Sequence, residues 1–582
     1  MRVIRGVALA VAAAVIVLGA AVEAKAGYID LIGYPELKAE LGISVPTGAG
    51  VEVMQVEAPI TDPNDSEVFR YMPDKMDPAF AGKTITDATK TSTGTSSHAQ
   101  QVGLNFYGDT TSEGDRISIA PGITNITVYE VNHWLGTGFL KAGSATAPAY
   151  STARIANHSW AGSTTADGNI LRRLDYLVAT DDFIQVVGLS NNLPPEEITN
   201  WPLLADAFNA ISVGVTNGKH FSGTTEVDKS VYVTGRAKPD LVAPGESPTN
   251  SSIRTSWAAA MVSAAAALLV ETGHTQTSLS NGSYTLDTTR TGLPAVTIYH
   301  AETSEVIKAA LMAGADRKTA NGRGAEITDY TVDTANGLDS LYGAGQVNIY
   351  NSYHVLTGGE HNSAQDGNVS DIGRYGFDYD PAFGGSSGSN TTGSYSFTAD
   401  FTSLAWEIFA TLVWNIDIGP STGPGPTNPV GSATLYNLDL LLYDLTAGNL
   451  LVASSTSTLD NTENIWQQLV DGHSYRLDVV RGNGQSDFLW DYGLAWRVVS
   501  EPPLAGDANL DHVVDALDYV VVSNNYGTGS TWIEGDVNGD GAVNALDYVV
   551  ISNNYGAHAP EPATLAMLGL GGLGLVLGRK RR

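Results

Sequence analysis

The chain contains no cysteine in 582 residues, which excludes disulfides, thiolate nucleophiles and thiolate-held metals. Basic side chains are scarce: 31 against 62 acidic ones, a formal charge of −31. Nucleic-acid phosphates require basic patches, so no nucleic-acid partner is expected; the balance suits solubility and divalent cations. Charged residues of both signs reach only 16%, below the roughly 25% of an average soluble chain. What is present in quantity is apolar: 43% hydrophobic residues, enough for sizeable cores and too many for general disorder. At about 150 residues per domain the length implies three to four domains.

The two ends read as addresses. Residues 1–26 have a basic start (Arg2, Arg5), an apolar run from Val7 to Val22 and a small-x-small cleavage site at Ala24-Lys25-Ala26, the pattern of a secretory signal peptide. At the other end, within residues 559–582, Pro560-Glu561-Pro562 precedes an apolar, glycine-rich stretch from Leu565 to Gly578 and a basic end, Arg579-Lys580-Arg581-Arg582. These three parts in this order resemble the PEP-CTERM sorting signal of Gram-negative exosortase systems. The resemblance implies recognition by sorting machinery and delivery to the cell envelope or beyond.

A repeat with a period of 29 residues occupies residues 505–557. Gly506 to Gly527 and Gly535 to Gly556 each begin with a loop of oxygen-bearing side chains at positions 1, 3, 5, 9 and 12. In the first copy these are Asp507, Asn509, Asp511, Asp515 and Asp518; in the second, Asp536, Asn538, Asp540, Asn544 and Asp547. That is the ladder by which one short loop offers a hard cation six to eight oxygens, with position 7 adding a backbone carbonyl, here Val513 and Ala542. A helix with Leu, Tyr and Val at helical spacing follows each loop. Two loop–helix units in tandem, each closed by Asp, resemble a type I dockerin. The resemblance implies Ca2+ binding and a cohesin-type protein partner; a purely structural calcium module is the alternative. A unit this small without cysteine needs a metal to fold.

Residues 27–355 alternate short β-branched runs with helical segments, which predicts an α/β domain with a mostly parallel sheet. Within it, Lys238-Pro-Asp-Leu-Val-Ala-Pro-Gly245 is followed by Thr255-Ser256 and an all-round apolar segment to Leu269. A helix of that kind is buried, which puts Ser256 at its positive N-terminus. Ser97-His98 leads to Val102-Gly103, and Gly48 to Glu57 reads as a core strand. Phe183 to Ser190 is a second such strand, ending in Asn191-Asn192. These stretches resemble the subtilases, the subtilisin-like serine peptidases, and their order (acid, His, Asn, Ser) is the subtilisin order.

The resemblance implies Ser256 as nucleophile, His98 as general base, Glu57 as the carboxylate that orients it, with Asp62 as fallback, and Asn191 as oxyanion donor. It also implies Ser159, Trp160 and Gly162 as a substrate-binding strand. Departures from the family pattern are Arg254 for Gly, Ala260 for Pro, Glu57 for Asp and a histidine motif reduced to His-x-x-x-Val. Because glycine supplies backbone freedom, Arg254 is expected to strain or re-aim Ser256. Only about 20 residues separate the signal from the first matched strand, short for the folding pro-segment usual in the family.

Between residues 373 and 499 short strands alternate with Gly/Ser/Pro/Asn turns, which predicts a β-sandwich. The expected chain is therefore multidomain: a subtilisin-like α/β domain, a β-sandwich, and a small helical calcium module. Its expected function is a secreted or envelope-associated serine endopeptidase acting on a protein or peptide substrate through an acyl-enzyme. The alternative is a degenerate scaffold of the same fold that presents the dockerin to a partner.

Overall fold

The computed structural model describes residues 28–557 except 63, 111–116, 163–167, 192–202, 222–230, 234, 251, 287–294, 320–325, 400–404, 420–430, 502–504, 510–512 and 531. The expected signal peptide (1–26), the sorting signal (559–582) and the ligand candidate Asp511 lie outside the described residues.

Seven short strands, most of them rich in Val and Ile, build the central sheet: β1 (Val53–Glu57), β2 (Thr84–Asp87), β3 (Asn125–Glu130), β4 (Ile155–His158), β5 (Ile184–Gly188), β6 (Ile211–Val215) and β7 (Leu241–Ala243). Their order is β2-β3-β1-β4-β5-β6-β7, and every neighbouring pair is parallel. Both faces are covered, as a parallel sheet requires. Along β1 the side chains alternate: Val53 joins the core on one face, Met54 and Val56 the core on the other. Gln55 and Glu57, in phase with Val53, are both fully buried.

Helix α1 (Ser97–Tyr107) lies beside α3 (Thr255–Thr275). Helix α2 (Gly168–Asp181) packs its Leu171 and Leu174 into the core of the opposite face. All residues of α3 from Thr255 to Val270 are buried, because a run of alanines lets the helix approach the strands closely from every side. Its last turn also positions β1: the Glu271 carboxylate accepts from the backbone N–H groups of Thr47, Gly48 and Ala49 at 2.7, 2.6 and 3.1 Å. The chain order reverses between β1 and β4, so the carboxyl ends of these strands open onto a switch point, the place where open α/β sheets hold ligands.

Downstream, eight strands form a sandwich of two antiparallel sheets: β8 (Tyr375–Phe383), β9 (Thr392–Thr398), β10 (Ala405–Val413), β11 (Leu438–Asp444), β12 (Leu450–Ser455), β13 (Thr462–Leu469), β14 (Ser474–Arg481) and β15 (Trp490–Glu501). One sheet runs β8-β15-β10-β13, the other β9-β14-β11-β12. Trp406, Trp414, Trp496, Tyr395 and Tyr492 fill the space between them. The first sheet packs onto α4 (Ser304–Ala313) and α5 (Ile349–Thr357) of the α/β domain. Arg497 of β15 locks this junction. Its Nε and Nη2 donate to the carbonyls of Ala313 and Ala315 at 2.7 and 2.9 Å, the negative end of α4, while its guanidinium lies 3.8 Å from the Phe409 ring centroid. Burial lowers the Arg497 pKa to about 10. Two further helices, α6 (Ala516–Asn525) and α7 (Ala545–Asn554), follow the two repeat loops.

Replacing Arg497 with Met removes two charge-assisted hydrogen bonds and leaves two buried carbonyls unpaired. The expected loss is roughly 2 kcal/mol, a fall of about 4 °C or more in melting temperature, read by differential scanning calorimetry. An unchanged transition means the junction does not depend on this side chain.

Candidate active site

Glu57 ends β1 on the face toward α1, and His98 occupies the first turn of α1. Ser96 caps that helix, its hydroxyl accepting from Ala99 N–H at 3.2 Å, which fixes where the imidazole starts. The Glu57 carboxylate and His98 Nδ1 are 2.7 Å apart, and His98 Nε2 is 3.1 Å from Ser256 Oγ. Three side chains separated by up to 199 positions in the sequence thus meet in one hydrogen-bonded line. Asp62, the fallback acid, is exposed in a β-hairpin and instead accepts from Asn64 N–H.

A second layer holds the carboxylate. Gln55 Nε2 donates to the other Glu57 oxygen at 2.8 Å and to the Ala99 carbonyl at 2.9 Å. Tyr107 O–H donates to Gln55 Oε1 at 2.6 Å, and burial together with the Glu57 charge pushes the Tyr107 pKa well up. Neither Gln55 nor Tyr107 was singled out by the motifs. The available signal was a polar residue two positions before Glu57, hence on the same face of a buried strand.

His98 is about one-third exposed. Burial lowers its pKa, but the Glu57 charge and hydrogen bond overcome this, and the net shift is upward; the Arg254 charge opposes that rise. Ser256 sits in the first turn of α3, where the free N–H groups and the dipole favour developing negative charge. Asn191 Oδ1 accepts from the Thr255 N–H at 2.9 Å. A backbone N–H can only donate, so this bond assigns Oδ1 to the Thr255 side and leaves Nδ2 free of that contact, on a residue that lines the cleft with Ser256.

Ser159 Oγ lies 2.8 Å from both the Ser256 carbonyl and Asn157 Oδ1, its one proton shared between the two acceptors, tying the end of β4 to the first turn of α3. Asn157 in turn donates to Ser263 Oγ at 3.1 Å. Trp160 is part of the core and donates to His158, whose pKa burial lowers to about 4. Ser159 and Trp160 line a cleft of about 470 Å³ together with His98, Asn191, Arg254 and Ser256. Gly162 is not among the residues lining it: a Cβ there would lie 2.9 Å from Trp160 Cζ3, so its smallness serves the packing of that ring.

Arg254 does not strain the nucleophile. Its backbone is extended (φ −148°, ψ 148°), a conformation any residue adopts, and its side chain is exposed. The constrained glycine is Gly245, with φ +65° and the Arg254 carbonyl 2.7 Å from where a Cβ would stand. Ala260 lies fully buried inside an unbroken α3.

In the helical repeat, each closing aspartate gathers its own loop. Asp518 accepts from the N–H groups of Ala508, Asn509 and Asp515, and Asp547 from those of Asn538 and Asn544. Asp507, Asp518, Asp536 and Asp547 are at most 4% exposed, yet residues 505–557 contain no Lys or Arg. Buried carboxylates are costly unless charge or hydrogen bonds compensate them. With the side-chain oxygens of Asn509, Asp515, Asn538, Asp540 and Asn544 and the Val513 and Ala542 carbonyls, the loops offer the all-oxygen donor type that a hard cation takes. Among the described residues the buried aliphatic core beneath consists of Ala508, Val514, Val522, Val537, Val543 and Ile551.

The Subtilase family model matches residues 76–345, the Dockerin type I domain model residues 505–555, and the PEP-CTERM protein-sorting motif residues 558–582. The subtilase match spans His98, Asn191 and Ser256 but begins after Glu57. No curated protein matches the chain. Among solved structures, similarity extends to MycP1 from Mycobacterium smegmatis, at 14% identity over 56% of this chain and 86% of that one, with a TM-score of 0.30. A mutant of the epidermin leader peptide processing serine protease from Staphylococcus aureus is similar at 12% identity over 56% and 81%, with a TM-score of 0.32. The pre-peptidase C-terminal domain of collagenase from Bacillus anthracis is similar at 16% identity over 21% and 87%, with a TM-score of 0.14.

Two outcomes are expected. An NMR titration should place the His98 pKa above the ordinary imidazole value, and Glu57→Gln should bring it down. By the same linkage, the stabilisation from this pair is complete below the unfolded-state imidazole pKa and lost as pH rises through the folded value. A His98 pKa unmoved by Glu57→Gln contradicts the pairing. Separately, hydrogen exchange of the full chain should show protection across residues 505–557 with calcium and its loss with chelator; identical exchange in both contradicts a metal-dependent fold.

Proposed function

From a chain that carries a subtilase domain, a type I dockerin domain and a PEP-CTERM sorting motif, we propose an exported, envelope-associated serine endopeptidase. The observation that carries this reading is the continuous relay from Glu57 through His98 to Ser256, with spacings of 2.7 and 3.1 Å, opening on a cleft of about 470 Å³.

In this reading Ser256 Oγ attacks the scissile carbonyl while His98 Nε2 takes its proton. Glu57 holds the imidazole through Nδ1 and stabilises the imidazolium that forms. The oxyanion is received by the Ser256 N–H and Asn191 Nδ2. His98 then protonates the leaving amine, and water, deprotonated by the same imidazole, hydrolyses the acyl-enzyme. Glutamate in place of aspartate adds a methylene. Gln55 accommodates it by holding the second carboxylate oxygen, so the longer arm keeps one orientation. A serine and histidine held apart, or Arg254 filling the cleft, would favour the scaffold alternative. Contact between the pair and an open cleft that Arg254 only lines speak for the enzyme.

Calcium, supplied to the dockerin loops, would balance their buried carboxylates and fix the helices. Those helices present matching exposed apolar residues, Leu517 and Leu546, Val520 and Val549, Tyr526 and Tyr555, a surface suited to a cohesin-type partner. The match of residues 558–582 to the PEP-CTERM protein-sorting motif supports handling by the sorting machinery of a Gram-negative-type envelope.

A fluorophosphonate probe should label the calcium-loaded chain, and Ser256→Ala should abolish labelling. Peptidase kcat/KM should rise with pH as His98 loses its proton, with the acid limb displaced upward from the ordinary imidazole value. Glu57→Gln should lower kcat by about 10⁴ and move that limb to lower pH, because the charge that raises the His98 pKa is gone. Asn191→Ala should cost about 10²–10³ in kcat. A folded, calcium-loaded chain that neither labels nor cleaves contradicts the proposal.

A further inference from the structure

We propose that Arg254 makes this cleft selective for peptides with an acidic side chain next to the scissile bond. The inference deepens the peptidase reading and rests on it. Arg254 stands two positions before the nucleophile. Its backbone is fixed, with its N–H on the Gly245 carbonyl at 2.9 Å and its own carbonyl accepting from Trp257 and Ala258 at 3.1 Å. The main chain therefore cannot swing away, and the position of the charge is set by an exposed side chain that lines the cleft beside Asn191 and Ser256. Among the described residues that side chain makes no hydrogen bond or ion pair.

Among the described residues nothing else in the cleft offsets it. Among the described residues no carboxylate lines the wall, and His98 is the only other ionisable group there. Glu57 is fully buried beneath the imidazole that it serves. The charge is close enough to His98 to act against its protonation. A chain of net charge −31 repels acidic ligands at long range, so an unopposed guanidinium at the nucleophile is a local reversal of sign. Guanidinium presents a planar fork that matches a carboxylate with two parallel hydrogen bonds. An extended peptide advances roughly 3.3 Å per residue, which brings the side chains flanking the bond over Ser256 within the reach of an arginine two residues away.

The test is kcat/KM of the full, calcium-loaded chain on fluorogenic peptides that differ only by Glu or Gln at each position flanking the scissile bond. At one of these positions Glu should be favoured by about tenfold or more, the scale of a charge-assisted hydrogen bond, and Arg254→Glu should reverse the order. Equal values for every isosteric pair, in a chain that labels with fluorophosphonate, overturn this inference and leave the peptidase reading standing. Absence of both labelling and cleavage overturns the two together. A preference for Glu that survives Arg254→Glu overturns the assignment to this residue.

Discussion

The contact between Glu57 and His98 is the constraint on which the rest of the α/β domain depends. It joins the end of a central strand to the first turn of a helix. It works only if both ends are immobile. On the strand side, Glu271 pins the turn before β1, and Gln55 holds the free carboxylate oxygen. On the helix side, Ser96 caps α1, and the Ala99 carbonyl shares the Gln55 amide. Tyr107 closes the circuit from the far end of the same helix. The imidazole lies at a helix N-terminus, where the dipole disfavours a cation, so the carboxylate beneath it decides whether the protonated form is tolerable during a reaction.

The rest of the molecule supports that contact from a distance. Helix α3 brings Ser256 to the same point because its alanine-rich body lets it sit within the sheet's packing. The sandwich braces the domain's helices through Arg497, a buried cation satisfied by the end of one helix rather than by a carboxylate. The repeat module uses the opposite electrostatics. Its buried acids stand in a segment without Lys or Arg, and its closing aspartates take up backbone N–H groups of their own loops.

Much of this was legible in the sequence. The alternation of short β-branched runs with helices announced the parallel sheet. The apolar run after Ser256 announced a buried helix, and the 29-residue period announced the loop–helix pairs. Glu57 was legible as the last residue of a core strand, although the subtilase match begins beyond it. What could not be read were properties of backbone angle and of neutral polar partners. Arg254 looked like strain because glycine is the family residue, but the turn places its left-handed residue at Gly245 and leaves position 254 extended. Gln55 and Tyr107 carry no pattern of their own; only their register beside Glu57 makes them part of the site. Gly162 was read as cleft wall because it continues the strand, yet its place is against the Trp160 ring.

The central claim is that these side chains converge to stabilise a tetrahedral adduct on Ser256. The most direct measurement is a crystal structure of the calcium-loaded chain with a peptide boronic acid. The account predicts a covalent bond to Ser256 Oγ, one boronate oxygen held between the Ser256 N–H and Asn191 Nδ2, and His98 still paired with Glu57. A boronate that leaves Ser256 unmodified, or an adduct whose oxygen points away from Asn191, would contradict it.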